Sequence, residues 1–256
     1  MYTLIFDAVK RVNSTLAYEF IRERILSSEY PPGAALMTEV LAKAIGVSRT
    51  PIRDALRKLE ADGLVVIQAH LGARVKELRL HEFKDLCECR LALESHAAGL
   101  AAKNRTSADI TELGQALAEM KRLTKLLTHT QDEKDLIAEL VREDVRFHVA
   151  VINASRNDLL KKEILRLHVI NRVVFGPVGV DTVSTARVDR ETHRQEVIRD
   201  HQQIFEAIEA SNAPEARSLM QRHIQDIIDN RIRIFEAYYE AQTTRELTPD
   251  EQVYHP

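Results

Sequence analysis

Four polar residues occupy helix positions that an amphipathic pattern reserves for apolar side chains. Asp144 and His148 stand at i and i+4 within a helix predicted over 133–154, so both side chains leave the same face. That face also carries Ile137, Leu140, Phe147 and Val151. A carboxylate inside such a stripe requires a partner, because burying it alone costs several kcal/mol. His201 recurs among Val197, Ile204, Phe205 and Ile208, and His223 among Leu219, Met220, Ile227 and Ile234. The turn SNAP joins these two helices near residue 212, with His201 11 residues before that point and His223 11 after it. In an antiparallel pair both imidazoles then reach the same height, roughly 16 Å from the turn at about 1.5 Å per residue. If both helices face the 133–154 helix, three imidazoles and one carboxylate converge. This donor set suits a borderline divalent ion such as zinc or nickel and leaves one or two coordination positions open. His193, two turns before His201, is one substitute ligand the pattern offers, but it reads as a surface residue or one behind the ligands.

Arg90 is the second polar residue on an apolar face, which it shares with Leu86, Leu93, Ala97 and Leu100. A buried guanidinium requires an acid or an anionic ligand. The pattern leaves two readings open: an ion pair with Glu94 one turn on, or a clamp for the carboxylate of a small molecule. Asn230 lies on the His223 face, either as a hydrogen-bonding wall of the same site or as a contact between helices.

A different chemistry is written near the start of the chain. Arg49, Arg53 and Arg57 repeat at i, i+4 and i+8, beside an apolar face of Ile52, Leu56 and Leu59. A helix of this kind packs on its neighbour while presenting guanidinium groups, whose rigid forks match phosphates and guanine edges. The elements around it complete a helix-turn-helix. Thr38 is read as the cap of a first helix and Gly46 as its left-handed stop. Ser48 is read as the cap of the second helix, with Pro51 in its first turn, where a missing N–H costs nothing. A preceding helix carries Leu16, Phe20, Ile21, Ile25 and Leu26 and stops at YPPG. After Gly63 come a β-prone run at Leu64–Ile67, a turn around His70–Gly72 and a return strand starting at Val75. Three helices and a hairpin make a winged helix-turn-helix.

The rest of the chain reads as helix, near 80–103, 107–128, 133–154, 157–174, 191–210 and 214–240, with one long irregular loop at 176–190. The expected fold class is mainly α: a winged helix-turn-helix over 1–78, then an antiparallel bundle of about six helices over 79–242. Residues 243–256 form a polar tail. A chain of 256 residues suits two domains, each able to build a core. No apolar run reaches membrane-spanning length and no cleavable leader pattern is present, so the expected place of work is the cytoplasm. Cys87 and Cys89 are the only cysteines, and at i, i+2 they point to different sides of a helix, which disfavours a disulfide or thiolate site. The net charge of −3 hides an asymmetry. Residues 1–78 hold 11 Lys and Arg against 9 Asp and Glu, whereas the remainder holds 25 against 30. DNA binding with so small an excess depends on local placement and on two subunits.

YPPGAAL, LAKAIGVSRTPIRDALRKLEADGLV and LGARV resemble the DNA-binding domain of GntR-family bacterial transcription regulators, over roughly Val12 to Leu78. The resemblance implies DNA contacts at Ser48, Arg49, Thr50 and Arg53, with Gly72 at the wing tip. Glu39 departs from the pattern, standing where members often carry an arginine, and the wing AHLGARV is less basic before its glycine than many. ECRLALESHAAGLAA, EDVRFHVAVINASRNDLL and DHQQIFEAIEASNAPEARSLMQRHI resemble the FCD effector domain of the FadR branch, over approximately Leu80 to Tyr239. The same resemblance implies that Asp144, His148, His201 and His223 bind one divalent metal beside a small organic acid effector, that Arg90 clamps its carboxylate, and that the chain binds double-stranded operator DNA as a homodimer. The implied function is a ligand-responsive regulator, most often a repressor. An alternative from another class is a metal-dependent, hydrolase-like enzyme fused to a helix-turn-helix, since Asp/His₃ with open positions can activate water. A ligand-free structural DNA-binding protein would instead place apolar residues at the four polar core positions.

Overall fold

The computed structural model describes residues 2–68, 72–130, 133–175 and 187–243. The N-terminal part consists of α1 (Tyr2–Leu26), β1 (Ala35–Leu36), α2 (Thr38–Ile45), α3 (Arg49–Ala61), β2 (Val65–Gln68) and β3 (Gly72–Val75). Helix α1 begins well before the stretch whose periodicity pointed to it. Ile21 and Ile25 are fully buried on its inner face, while Leu16 is exposed. Ile52, Leu56 and Leu59 of α3 close this core from the other side with Leu64 and Val75.

The turn between α2 and α3 follows the sequence signals with two corrections. Gly46 ends α2 in the left-handed region at φ +77°, and its N–H returns to the Ala42 carbonyl. The residue preceding α2 is Met37, and Thr38 is already helical, so Thr38 is not the cap. Ser48 does hold the N-cap position of α3, but in extended backbone and without a side-chain hydrogen bond.

Strands β2 and β3 pair antiparallel, with Val65 opposite Val75 and Gln68 opposite Gly72. Val75 therefore ends the return strand rather than starting it. Two residues, Ala35 and Leu36, pair with β3 from its other edge, giving the order β1-β3-β2. The proposed wing turn at His70 lies outside the described residues.

Six helices follow: α4 (Leu80–Asn104), α5 (Ser107–Leu127), α6 (Lys134–Ala154), α7 (Asp158–Phe175), α8 (Arg187–Glu209) and α9 (Ala213–Thr243). Their bounds lie within a few residues of those read from periodicity. The long loop is shorter than expected because α8 starts at Arg187; its remainder and the tail from 244 lie outside the described residues. Helix α4 runs along α9, α5 along α6, and α8 along α9, and α4 also packs on α6, α7 and α8. Phe83, Leu113, Phe147, Ile204, Ile208 and Ile224 are fully buried between them.

The halves meet at several places, α1 against α7 among them. Gly63, at φ +80° after α3, lies so close to α7 that a Cβ there would stand 2.9 Å from Ile170 Cδ1. Along the connector, Lys76 approaches Glu82 at 4.0 Å, and the Glu82 carboxylate accepts from the Arg79 N–H at 3.0 Å to start α4.

Candidate metal centre and nucleic-acid interface

The arginine-bearing helix presents the surface its periodicity implies. Ser48, Arg49, Thr50, Arg53, Arg57 and Gly72 are all exposed, and Pro51, Ile52, Ala55, Leu56 and Leu59 are buried on the opposite face. Gly72 opens β3 at φ +83°, a conformation in which a side chain would be strained. Arg49 meets Glu39 of α2 at 3.2 Å, with both side chains largely in solvent. The positive surface thus carries a carboxylate at its leading edge.

In the helical half, α6, α8 and α9 bring His148, His201 and His223 together. One nitrogen of each ring lies within 4.8 Å of the others, and all three residues are buried. The His201 and His223 ring centroids are 4.6 Å apart, as equal height above the α8–α9 turn requires. Phe147 stacks edge-on against His201 at 4.7 Å and closes the apolar side.

The outer ring nitrogens decide the state of the inner ones. His201 Nδ1 lies 2.7 Å from the Val197 carbonyl, which can only accept, so Nδ1 carries the proton. His223 Nδ1 meets the Asp200 carboxylate at 3.3 Å, and His148 Nδ1 faces Glu94 Oε2 at 3.7 Å. The His223 hydrogen bond outweighs partial burial, which acts to raise it, and holds the Asp200 carboxyl below its ordinary value. Burial pushes the His148 imidazole down to about 3 and lowers that of His223 as well. A neutral ring that donates from Nδ1, as the contacts of His201 and His223 allow, presents its Nε2 lone pair inward.

The inner nitrogens approach one another and Asp144. His223 Nε2 and His148 Nε2 are 3.4 Å apart, and His201 Nε2 stands 3.2 Å from Asp144 Oδ1. His201 Nε2 is buried and has no hydrogen-bond partner. Three imidazole nitrogens and a carboxylate oxygen gathered at such distances call for a proton or a cation among them. The donor set fits a borderline divalent ion, with outer acceptors orienting the rings of His201 and His223. Asp144 stands at the edge of the triad, touching His201, with its side chain 37 % exposed. Burial acts to raise its carboxyl, but the surrounding imidazoles hold it well below the usual carboxylate range.

Arg90 settles into the ion pair that the sequence left as one of two readings. Its Nε donates to Glu94 Oε1 at 2.9 Å, and both side chains are almost completely buried. The pair does not exhaust the guanidinium, since Arg90 Nη1 is buried without a hydrogen-bond partner. His168 of α7 brings Nε2 to 3.0 Å from the same Glu94 oxygen, though not in hydrogen-bond alignment. Burial would raise the Glu94 carboxyl, but Arg90, His168 and His148 keep it far below the usual range. Glu94 thus bridges the arginine and the triad. Asn230 is half-buried two turns beyond His223 and enters none of these contacts among the described residues. His193 is half-buried on α8 and stays outside the triad.

Sequence reasoning missed Asp200 and His168. Asp200 was within reach, because it lies almost as far before the α8–α9 turn as His223 lies after it. No periodicity points to His168, which depends on how α7 crosses α4.

Residues 13–75 match the model of bacterial regulatory proteins of the gntR family, and residues 85–226 match the FCD domain. The transcriptional regulator LutR of Bacillus subtilis is 30% identical over 237 residues, covering 84% of this chain and 98% of that protein. The Uxu operon regulator of Haemophilus influenzae is 30% identical, covering 85% and 80% of the two chains. Among solved structures, E. coli McbR/YncC superposes with a TM-score of 0.62 at 22% identity, covering 88% of this chain and 98% of that one, a likeness of fold. The chain belongs to the GntR family of bacterial regulatory proteins, with an FCD domain behind its winged helix-turn-helix. Its relatives are transcription regulators, which sets aside the hydrolase-like alternative. Among the described residues no helix is long and apolar enough to cross a membrane.

Proposed function

We propose that this chain is a cytoplasmic repressor that binds an inverted-repeat operator as a homodimer and leaves it when a small organic acid occupies the helical domain. In this reading residues 1–78 bind DNA, residues 79–242 hold the effector and the dimer contact, and 243–256 form a tail. Ser48, Arg49, Thr50 and Arg53 read the major groove and the flanking phosphates, with Gly72 at the wing. His148, His201, His223 and Asp144 hold one zinc or nickel ion. Bound there, the ion supplies a positive centre that a carboxylate and a neighbouring oxygen can chelate. Arg90 offers its spare Nη1 to the acid, and Asn230 walls the site. Glu94 keeps Arg90 and His148 in register.

The observation that carries this reading is the buried His201 Nε2, which stands 3.2 Å from Asp144 Oδ1 without a hydrogen-bond partner and beside two further buried imidazoles. Support for DNA binding comes from the exposed arginine flank of α3 and from the relatives' role as transcription regulators. Communication between the halves runs through the Gly63–Ile170 seam and the connector at Glu77–His81. An effector shifts operator binding only by its difference in affinity for the two arrangements of the DNA-binding domains.

The test combines metal-loaded protein, a panel of mono- and dicarboxylic acids, and an operator duplex in a gel-shift titration. One class of acid should release the duplex and raise the melting temperature. At 100 times its dissociation constant it should stabilise the fold by about 2.7 kcal/mol. Arg90→Ala should lose that response while retaining the metal. Stabilisation by neutral or cationic compounds alone would reject the carboxylate assignment.

A further inference from the structure

The DNA-facing surface contains one carboxylate that the proposed recognition scheme does not use. Glu39 is the second residue of α2, and Arg49 is the first of α3. The tight left-handed turn at Gly46 folds the two helix starts toward the same side, and Arg49 Nη1 lies 3.2 Å from Glu39 Oε1. Side-chain exposures of 63% and 58% show that neither group is held by burial. As a stabilising contact such a pair contributes little.

Its position gives it a different consequence. A guanidinium has five N–H donors in a planar fork, and a carboxylate on one edge leaves the others free. Fixing one edge restricts the swing of a long side chain, so the remaining donors point in a narrower range of directions. The same carboxylate repels any phosphate that approaches this corner. The positive excess of residues 1–78 is only 2 charges, so one acid at the leading edge weighs heavily in nonspecific attraction.

We propose that Glu39 is a specificity-determining residue, which positions Arg49 to read a base edge and prevents it from serving as a nonspecific phosphate contact. Discrimination is a difference between two affinities, and a repulsive element raises it by weakening the wrong one. The proposal rests on DNA binding through α3 as described above.

The experiment uses the full chain as wild type, Glu39→Gln, Arg49→Ala and the double variant. A duplex is first selected by the wild type from a randomised pool, and each protein is then titrated against it and against a scrambled duplex over a series of salt concentrations. Glu39→Gln should bind the scrambled duplex several-fold more tightly and lower the ratio of selected to scrambled affinity. Its salt dependence on scrambled DNA should steepen by about 0.9 per subunit, the signature of one more phosphate contact. In the Arg49→Ala background the same substitution should change the ratio and the slope much less, because only the direct repulsion between carboxylate and phosphate is then removed. An unchanged ratio in Glu39→Gln would overturn the proposal. An equal change with and without Arg49 would overturn it too, since Glu39 would then act by charge alone. Failure of the wild type to enrich any duplex would reject the DNA-binding scheme and this proposal with it.

Discussion

The arginine surface of α3 and the histidine cluster of the helical half use charge in opposite environments. Arg49, Arg53 and Arg57 stand in solvent, beside the apolar face that packs the helix into its domain. His148, His201, His223, Arg90 and Glu94 are all nearly inaccessible. In water a charge is inexpensive and its partners exchange freely; in the core every lone pair and proton must be answered. The exposed site can therefore change its sequence preference at little cost to the fold. In the buried site a change to one group unsettles its partners and the fold together.

The largest effect expected from that contrast is at Glu94. Glu94→Ala leaves the buried Arg90 guanidinium without its carboxylate and should cost about 3–5 kcal/mol in urea denaturation. A loss within experimental error of zero would mean that water reaches Arg90 and that this part of the core is not dry.

Metal content sharpens the comparison next. His223→Ala should lose most of the divalent ion by elemental analysis, whereas Asp200→Asn, which disturbs only the outer hydrogen bond, should weaken metal affinity by about 10–100-fold. Full retention in His223→Ala would dissolve the triad as a ligand set and turn attention to His193.

On the exposed side, Arg53→Ala should weaken operator binding by about 1–3 kcal/mol. Its urea midpoint should match the wild type, because the side chain lies outside the core. A shifted midpoint would show that the surface is tied to the fold after all.

The smallest test is chemical. Burial pushes the Cys87 thiol up to about 11, whereas Cys89 is exposed. At pH 8 an alkylating reagent should label one thiol per folded chain and both after denaturation, since only the thiolate reacts. Rapid labelling of both in the folded protein would place Cys87 in a segment that opens easily.

Much of this molecule could be read before any coordinates. The helices announced themselves through apolar spacing, and their ends through Gly46, the YPPG stop and the SNAP turn. Asp144, His148, His201 and His223 stood out because a polar residue on an apolar stripe violates the pattern, and the violations were matched in height. The misreadings were local. Thr38 reads as a cap because capping residues also occur inside first turns, and the position depends on a single backbone angle. Strand β1 passed unnoticed because two residues carry no periodicity.

Sequence alone determined the elements, the faces they bury and the residue types gathered on each face, because these follow from periods of 3.6 and 2 and from side-chain chemistry. Tertiary structure decided what the polar residues do to one another. Arg90 had two chemically equal partners on paper, and packing gave one guanidinium edge to Glu94 while leaving Nη1 without a partner. His168 and Asp200 joined the site because α7 crosses α4 and α8 lies along α9. Hydrogen bonds at 3 Å depend on crossing angles and helix rotations that no spacing along the chain encodes.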